Sequence, residues 1–450
     1  MANPSTQLSS TGTGAPSIVI EPDFSEWPRE LSKPASPESI ESRVAMGIGI
    51  DRPVIASGHQ SIVFHPGIVS KLIGLDVWSK RTGALPVWIV PDQDGVDPMR
   101  VRVPKQSGDL LKVNELRISD DPAPSGPSSE APPAKILDEL PAEFEELGQW
   151  LSGYEHEASL ARQVSAATIG LLCEQLGLEH PVLIYASDLM SSVAGSWMIN
   201  RLITDPVGAV MSYNASVRMF PDAGVRELAI NHTSIELPLW RIHNNQRHEV
   251  FVSMKDGLPE SGFDRSNLAP RGLLMTAIMR ARLCDLFIHG LGGVRYDQIT
   301  EQWIKDWLSV ELAPMTGTSA TLTRSFDLGS APQNRDRAVW LAHHARHTPE
   351  ILGDSNAQQA KQDLVARIEQ SKKAGDPATT ARLFAQLHQL LNETNELHHK
   401  QLSEFDHSVQ QAQAAHINHE IMNDRTWAFP LYSRDQLAEL KQMIVSKLGG

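Results

Sequence analysis

Cysteine is nearly absent from this chain. Only Cys173 and Cys284 occur in 450 residues, and neither has a second cysteine at CxxC spacing, so neither a disulfide framework nor a thiolate zinc site can be built. A reducing, cytoplasmic compartment is expected. Long apolar runs are missing too: no stretch approaches the roughly 18 uninterrupted apolar residues of a membrane span. The N-terminus lacks the basic-then-apolar order of a signal peptide, so no membrane partner is expected. Positive charge is in deficit. Lys+Arg 40 against Asp+Glu 54 leaves a formal charge of −14, which argues against a nucleic-acid partner, since phosphate backbones are bound by Lys and Arg. A local basic pocket stays compatible with that balance.

What is present is organised around residues 53–97. The short apolar runs 54–56 and 86–90 read as parallel strands covered on both faces. Between them Ile68, Leu72 and Leu75 recur at i, i+4 and i+7, which predicts a helix over about 67–80. This is a βαβ unit, and its right-handed crossover brings the loops after both strands to one carboxyl edge, where open α/β sheets bind ligands. Gly58-His59-Gln60 and Asp92-Gln93-Asp94 are therefore expected to be neighbours.

The expected organisation is an α/β core over 18–350 after a disordered leader, 1–17. The Pro- and Ser-rich stretch 120–134 reads as a flexible insert. The run 181–186 repeats the strand-then-loop pattern and puts Asp188 at the same edge. Alternating residues over 216–254 predict a hairpin inside an inserted subdomain of about 205–265. Leu286 to His289 reads as a strand that opens into a glycine-rich turn, with a helix starting near Asp297. Beyond 350, Leu383, Leu387, Leu390, Thr394 and Leu397 step by 4, 3, 4 and 3, the seam of a coiled-coil helical hairpin over 351–424, a possible homodimer surface. The segment 425–450 is expected to dock on the core.

The candidate chemistry follows from position. His59, Gln60 and His65 could move protons or steady a developing phosphate charge; equally, loop histidines cap helices. Asp92 and Asp94 could hold a cation or orient an amine, though Asp-x-Asp also makes plain turns. Gly290, Gly292 and Gly293 fit a phosphate-cradling turn or simply tight packing. His343 and His347 have metal-ligand spacing, but a solvated helix explains them better, and no metal is predicted.

Taken together, GHQSIVFHPG, PVWIVPDQD, HGLGGVRYDQ and the late heptads resemble the bacillithiol biosynthesis cysteine-adding enzyme family, patchily from about residue 53 onward. The resemblance implies a Rossmann-like core similar to nucleotidyltransferases, connecting subdomains and a C-terminal antiparallel coiled coil. It also implies a ligase that joins cysteine through an amide to the amine of an amino-sugar conjugate, glucosaminyl-malate. Such a reaction needs an activated acyl group, hence ATP or another nucleotide. On this reading His59, Gln60 and Asp94 are catalytic. Gly58, His65, Asp92, Asp188, His289, Gly290, Gly292, Gly293 and Tyr296 bind substrate or nucleotide. The chain departs from the family at His59, where a Gln is usual, at Pro91 and Gln93, where Glu and His stand, and at Gly293, where a Glu stands. Two alternatives stay open: nucleotidyl transfer to another small substrate, and a non-catalytic sensing or assembly protein with the same fold.

Overall fold

The apolar runs that flank residue 70 become the centre of the main sheet. A computed structural model of the chain describes residues 16–31, 36–253, 267–324, 326, 328 and 334–449. Nearly all of the expected leader, and the 254–265 end of the expected inserted subdomain, lie outside the described residues. Along the chain come β1 (Ser17–Glu21), α1 (Pro37–Ala45), β2 (Val54–Gly58), α2 (Pro66–Thr82), β3 (Leu85–Val90), β4 (Arg100–Ser107) and β5 (Leu110–Arg117). Then follow α3 (Ala142–Gly153), α4 (Leu160–Leu176), β6 (Val182–Tyr185), α5 (Ala186–Ser191), α6 (Val193–Thr204), α7 (Pro206–Met219), β7 (Ser234–His243) and β8 (Gln246–Ser253). The remainder is β9 (Leu268–Pro270), α8 (Gly272–Ile278), β10 (Leu286–His289), α9 (Leu291–Leu308), β11 (Met315–Thr321), α10 (Arg335–Ala345), α11 (Ser355–Ala374), α12 (Pro377–Leu397), α13 (His399–Met422) and α14 (Arg434–Gly449).

The fold is mixed α/β with a mostly parallel central sheet in the order β1-β11-β10-β2-β3-β6. The strands from β11 to β6 are parallel, and β1 closes one edge antiparallel to β11. From β2 the chain steps outward through β3 to β6, then returns to the other side of β2 for β10 and β11. The direction of winding therefore reverses between β2 and β10, and their carboxyl ends flank a crevice. Reversal also puts α2 and α9 on opposite faces, because each crossover keeps the same hand.

α2 starts on Pro66 with His65 as its cap and stops at Gly83, whose φ of 68° suits glycine. It is buried nearly all round because it lies between the sheet and α14. Gly74 sits between Thr318 of β11 and Leu448 of α14. Trp78 in α2, Trp88 in β3 and Trp303 in α9 are fully buried, and truncating any of them to Ala costs about 3–5 kcal/mol.

Two local readings need correction. The 216–254 stretch is not strand from its start, since α7 runs to Met219 and β7 begins only at Ser234; the hairpin itself turns at Asn244 and Asn245, both with positive φ. And α9 begins at Leu291, so the glycines form its first turn instead of preceding a helix near Asp297. Between the acidic loop and the insert, β4 and β5 form a separate two-stranded sheet.

The chain divides into two units, one of residues 1–103, 115–323 and 425–450 and the other of 104–114 and 324–424. In the second unit, Ala345, Leu352 and Leu402 form a small core with Ile351 and Phe405. Gly375 ends α11 and Asp376 caps α12. Of the heptad positions, Leu383 and Thr394 are buried while Leu397 is 74% exposed. The Pro- and Ser-rich insert, in the first unit, is tied to the acidic loop: Ser128 and Ser129 donate backbone N–H to the carbonyls of Asp94 and Asp92 at 2.9 Å each. Among the described residues no helix is long and apolar enough to cross a membrane.

Candidate functional site

The crevice between β2 and β10 opens into a cavity of about 780 Å³. Its floor is the carboxyl ends of the two strands, Gly58 and His289. Its walls are the starts of α2 and α9, the acidic loop after β3, and Trp240, Arg247 and Arg271 from the β7–β9 region. Gly58 is required there for a packing reason. A Cβ at this position would lie 2.3 Å from the Ile89 carbonyl oxygen, so the close approach of β2 to β3 excludes a side chain.

Most of the residues named from the sequence meet here. Gln60 Nε2 donates to Asp94 Oδ2 at 2.5 Å, joining the two loops, and Arg247 Nη1 donates to Asp94 Oδ1 at 2.6 Å. His65 caps α2 through Nδ1, which accepts the Gly67 N–H at 3.1 Å. Burial, then the neighbouring Lys71, hold the His59 imidazole well below its ordinary pKa, so His59 is neutral. Tyr296 lines the cavity edge-on to His289, with ring centroids 5.9 Å apart, and burial pushes its phenol up.

Two of the named residues lie elsewhere. Asp92 does not line the cavity; its Oδ1 accepts the Ser187 N–H at 3.0 Å and its Oδ2 the Ser187 hydroxyl at 2.5 Å. Both oxygens are spent pinning the start of α5 to β3. Asp188 is half exposed and pairs with Arg162 at 2.7 Å. Both cysteines are buried, and burial pushes the Cys173 thiol up to about 12, which removes them as nucleophiles. Among the described residues no group of three His, Cys, Asp or Glu side chains is arranged to hold a metal ion.

Three residues of the site escape a sequence reading. Lys71, one turn into α2, is almost wholly buried; its ammonium donates to the Gly58 carbonyl and lies 5.4 Å from the Trp88 ring centroid. Burial lowers its pKa to about 7. Arg425, from the segment after α13, lines the cavity and donates to Ser319 Oγ at 2.5 Å. Asp297 lies behind His289, accepting from Thr276 Oγ1 at 2.6 Å and Arg280 Nη1 at 2.7 Å. Burial alone would raise its pKa, but His289 and then Arg280 outweigh burial and hold the carboxyl well below the usual range.

The cavity is thus basic within an acidic protein. Among the described residues that line it, four are Lys or Arg, namely Lys71, Arg247, Arg271 and Arg425, against the single carboxylate Asp94. Arg247 is matched by Asp94 and Arg271 by the buried Glu236 at 2.5 Å. Among the described residues no carboxylate pairs with Lys71 or Arg425. The first turn of α9 borders the same space with no side-chain cap on its N–H groups, which adds to the positive field.

No protein-family model matches the chain, and no curated protein does. Among solved structures it is similar to the product-bound crystal structure of a parasite tRNA synthetase, at 7% identity over 92% of this chain and 97% of that one, with a TM-score of 0.25. A likeness at that score carries no argument.

Proposed function

We propose that the chain binds a nucleotide or another phosphate-bearing substrate in this cavity and uses it to form a C–N bond between a small carboxylic acid and an amine. The carrying observation is the excess of cations over carboxylates among the described lining residues, centred on Lys71 and Arg425, which have no carboxylate partner among the described residues, at the point where the sheet reverses its winding. Sheets of this plan take nucleotides there, and buried cations next to free helix N–H groups suit phosphate oxygens. On this reading the core is Rossmann-like and similar to nucleotidyltransferases, and α11 to α13 form its coiled-coil arm and dimer surface.

The specific form we propose is the cysteine-adding step of a bacillithiol-type pathway. The cysteine carboxylate attacks the α-phosphorus of ATP and pyrophosphate leaves. The amine of the sugar conjugate then attacks the acyl carbon, AMP departs, and the amine proton passes to neutral His59. Lys71 and the first turn of α9 hold the phosphates, and Asp94 orients the incoming ammonium. Plain nucleotidyl transfer is the second reading, and it shares every phosphate contact.

The test is mass spectrometry of the products formed from cysteine, glucosaminyl-malate and ATP. We expect a cysteine adduct with pyrophosphate release, lost in His59→Ala. Pyrophosphate release without consumption of cysteine selects plain nucleotidyl transfer. Failure of ATP to bind in a calorimetric titration overturns the proposal as a whole.

A further inference from the structure

The amino end of β10, opposite the candidate site, opens on a second cavity of about 370 Å³. It lies beside α1 and a π-helical turn, Met279–Leu283, that continues α8. Such turns widen the backbone to re-aim side chains and recur at functional sites. Here the turn aims arginines. Arg43 from α1 and Arg280 and Arg282 from the turn line the cavity, against the carboxylates Glu30 and Asp285.

Asp285 is already committed. It accepts from Arg43 Nη2 at 2.9 Å and from the Val54 N–H at 2.7 Å. That leaves Arg43, only 1% exposed, with Nε and Nη1 donating to no acceptor among the described residues. Arg282 Nε is likewise buried with no acceptor among the described residues. Its guanidinium stacks on Trp197, with the carbon 4.2 Å from the ring centroid, and among the described residues no carboxylate lies within ion-pair distance of it. Burial pulls the Arg282 pKa down. Arg280 is used elsewhere, on Asp297 and on the Ala313 carbonyl at 2.7 Å each, so it ties this cavity's wall to the residue behind His289.

Buried guanidinium donors without acceptors are costly, and folded proteins seldom leave them so. Asp285 balances the charge of Arg43 and Asp297 that of Arg280, while Glu38 acts on Arg282 only at longer range; an oxyanion would fill the open donors through charge-assisted bonds and balance Arg282 as well. We propose that this second cavity is a binding site for a small oxyanion, phosphate or carboxylate, held by Arg43 and Arg282.

The experiment uses full-length Lys71→Met protein, in which the first cavity has lost its buried cation. Inorganic phosphate and citrate are titrated separately by calorimetry, to distinguish the phosphoryl from the carboxylate source. Crystals soaked in selenate locate the site by anomalous scattering. We expect saturable binding of one of the two anions and a selenate peak between Arg43 and Arg282. Adding Arg282→Gln, at a partly exposed position where folding is spared, should weaken binding about tenfold, the worth of one charge-assisted bond. Absence of saturable binding, a selenate peak only in the first cavity, or unchanged affinity in the Arg282→Gln protein overturns the proposal. None of these failures touches ATP binding by the unmutated protein, so the two proposals fail separately.

Discussion

His289 Nε2 stands 2.9 Å from Asp297 Oδ2, and neither side chain is more than 4% exposed. A buried carboxylate behind an imidazole fixes the ring's orientation. The face that His289 presents to the cavity is therefore set by a residue eight positions further along the chain, two turns into α9.

Asp297→Asn leaves Arg280 buried without its main counter-charge. Breaking a buried pair in this way costs about 3–5 kcal/mol, to be read from urea unfolding at neutral pH. The pH dependence has a definite sign. The folded pKa lies below the unfolded one, so the stabilisation is complete above about pH 4 and is lost as pH falls through the carboxylate range. The variant should show a flatter acid limb than the parent. An equally steep limb would mean that other carboxylates dominate acid unfolding.

Lys71 works in the opposite sense. Its folded pKa, about 7, lies below the ordinary 10.5, so the unfolded chain holds the proton more readily and stability rises with pH between those values. Lys71→Met should remove that slope and make the ligand-free protein more stable near pH 6 by roughly a few kcal/mol, since a buried unpaired ammonium is costly. The same substitution should cut nucleotide affinity at least tenfold, because an anion is held by the ammonium and not by the amine. A parallel pair of measurements, thermal unfolding and ATP titration, checks both halves. A variant that is less stable and still binds ATP would remove Lys71 from the site.

The two acidic-loop carboxylates should separate cleanly. Asp92→Ala costs the Ser187 bonds, about 1–3 kcal/mol, and leaves ligand affinity unchanged. Asp94→Ala frees Arg247 and removes the one carboxylate among the described residues that line the cavity, so anion affinity should rise several-fold while any turnover that needs the amine oriented falls. Equal effects of the two substitutions on binding would contradict this division of roles.

The βαβ unit was legible because its signals are local. Two apolar runs, one helical stripe and a capping His65-Pro66 all lie within forty residues, and the Gln60–Asp94 contact follows from the handedness of the crossover. The unread residues depend on distant partners. Lys71 sits on a helix buried nearly all round, where a 3.6-residue stripe no longer marks an outer face. Asp92 looks like a loop acid until Ser187, 95 positions away, takes both its oxygens. Arg425 reaches the cavity from beyond the helical arm, and no local pattern announces it. The glycines of α9 misled for a local reason: glycine disfavours helix, so the run read as a turn.

That last point can be tested on adjacent residues. A Cβ on Gly293 would lie 2.6 Å from His289 Nδ1 and 2.9 Å from His289 Cβ. The second of these atoms is fixed to the backbone and cannot swing aside, so Gly293→Ala must displace β10 or the ring, at a cost of about 1–3 kcal/mol. At Gly292 nothing lies within 4 Å of the added carbon. There Ala should be neutral or stabilise the helix by up to about 1 kcal/mol. Urea unfolding gives the stabilities, and the His289 ring ¹⁵N shifts report whether its bond to Asp297 persists. If glycine were present only to form a loose phosphate-binding turn, both substitutions would weaken ATP binding alike and neither would disturb His289. If close packing is the reason, only Gly293→Ala will move the imidazole.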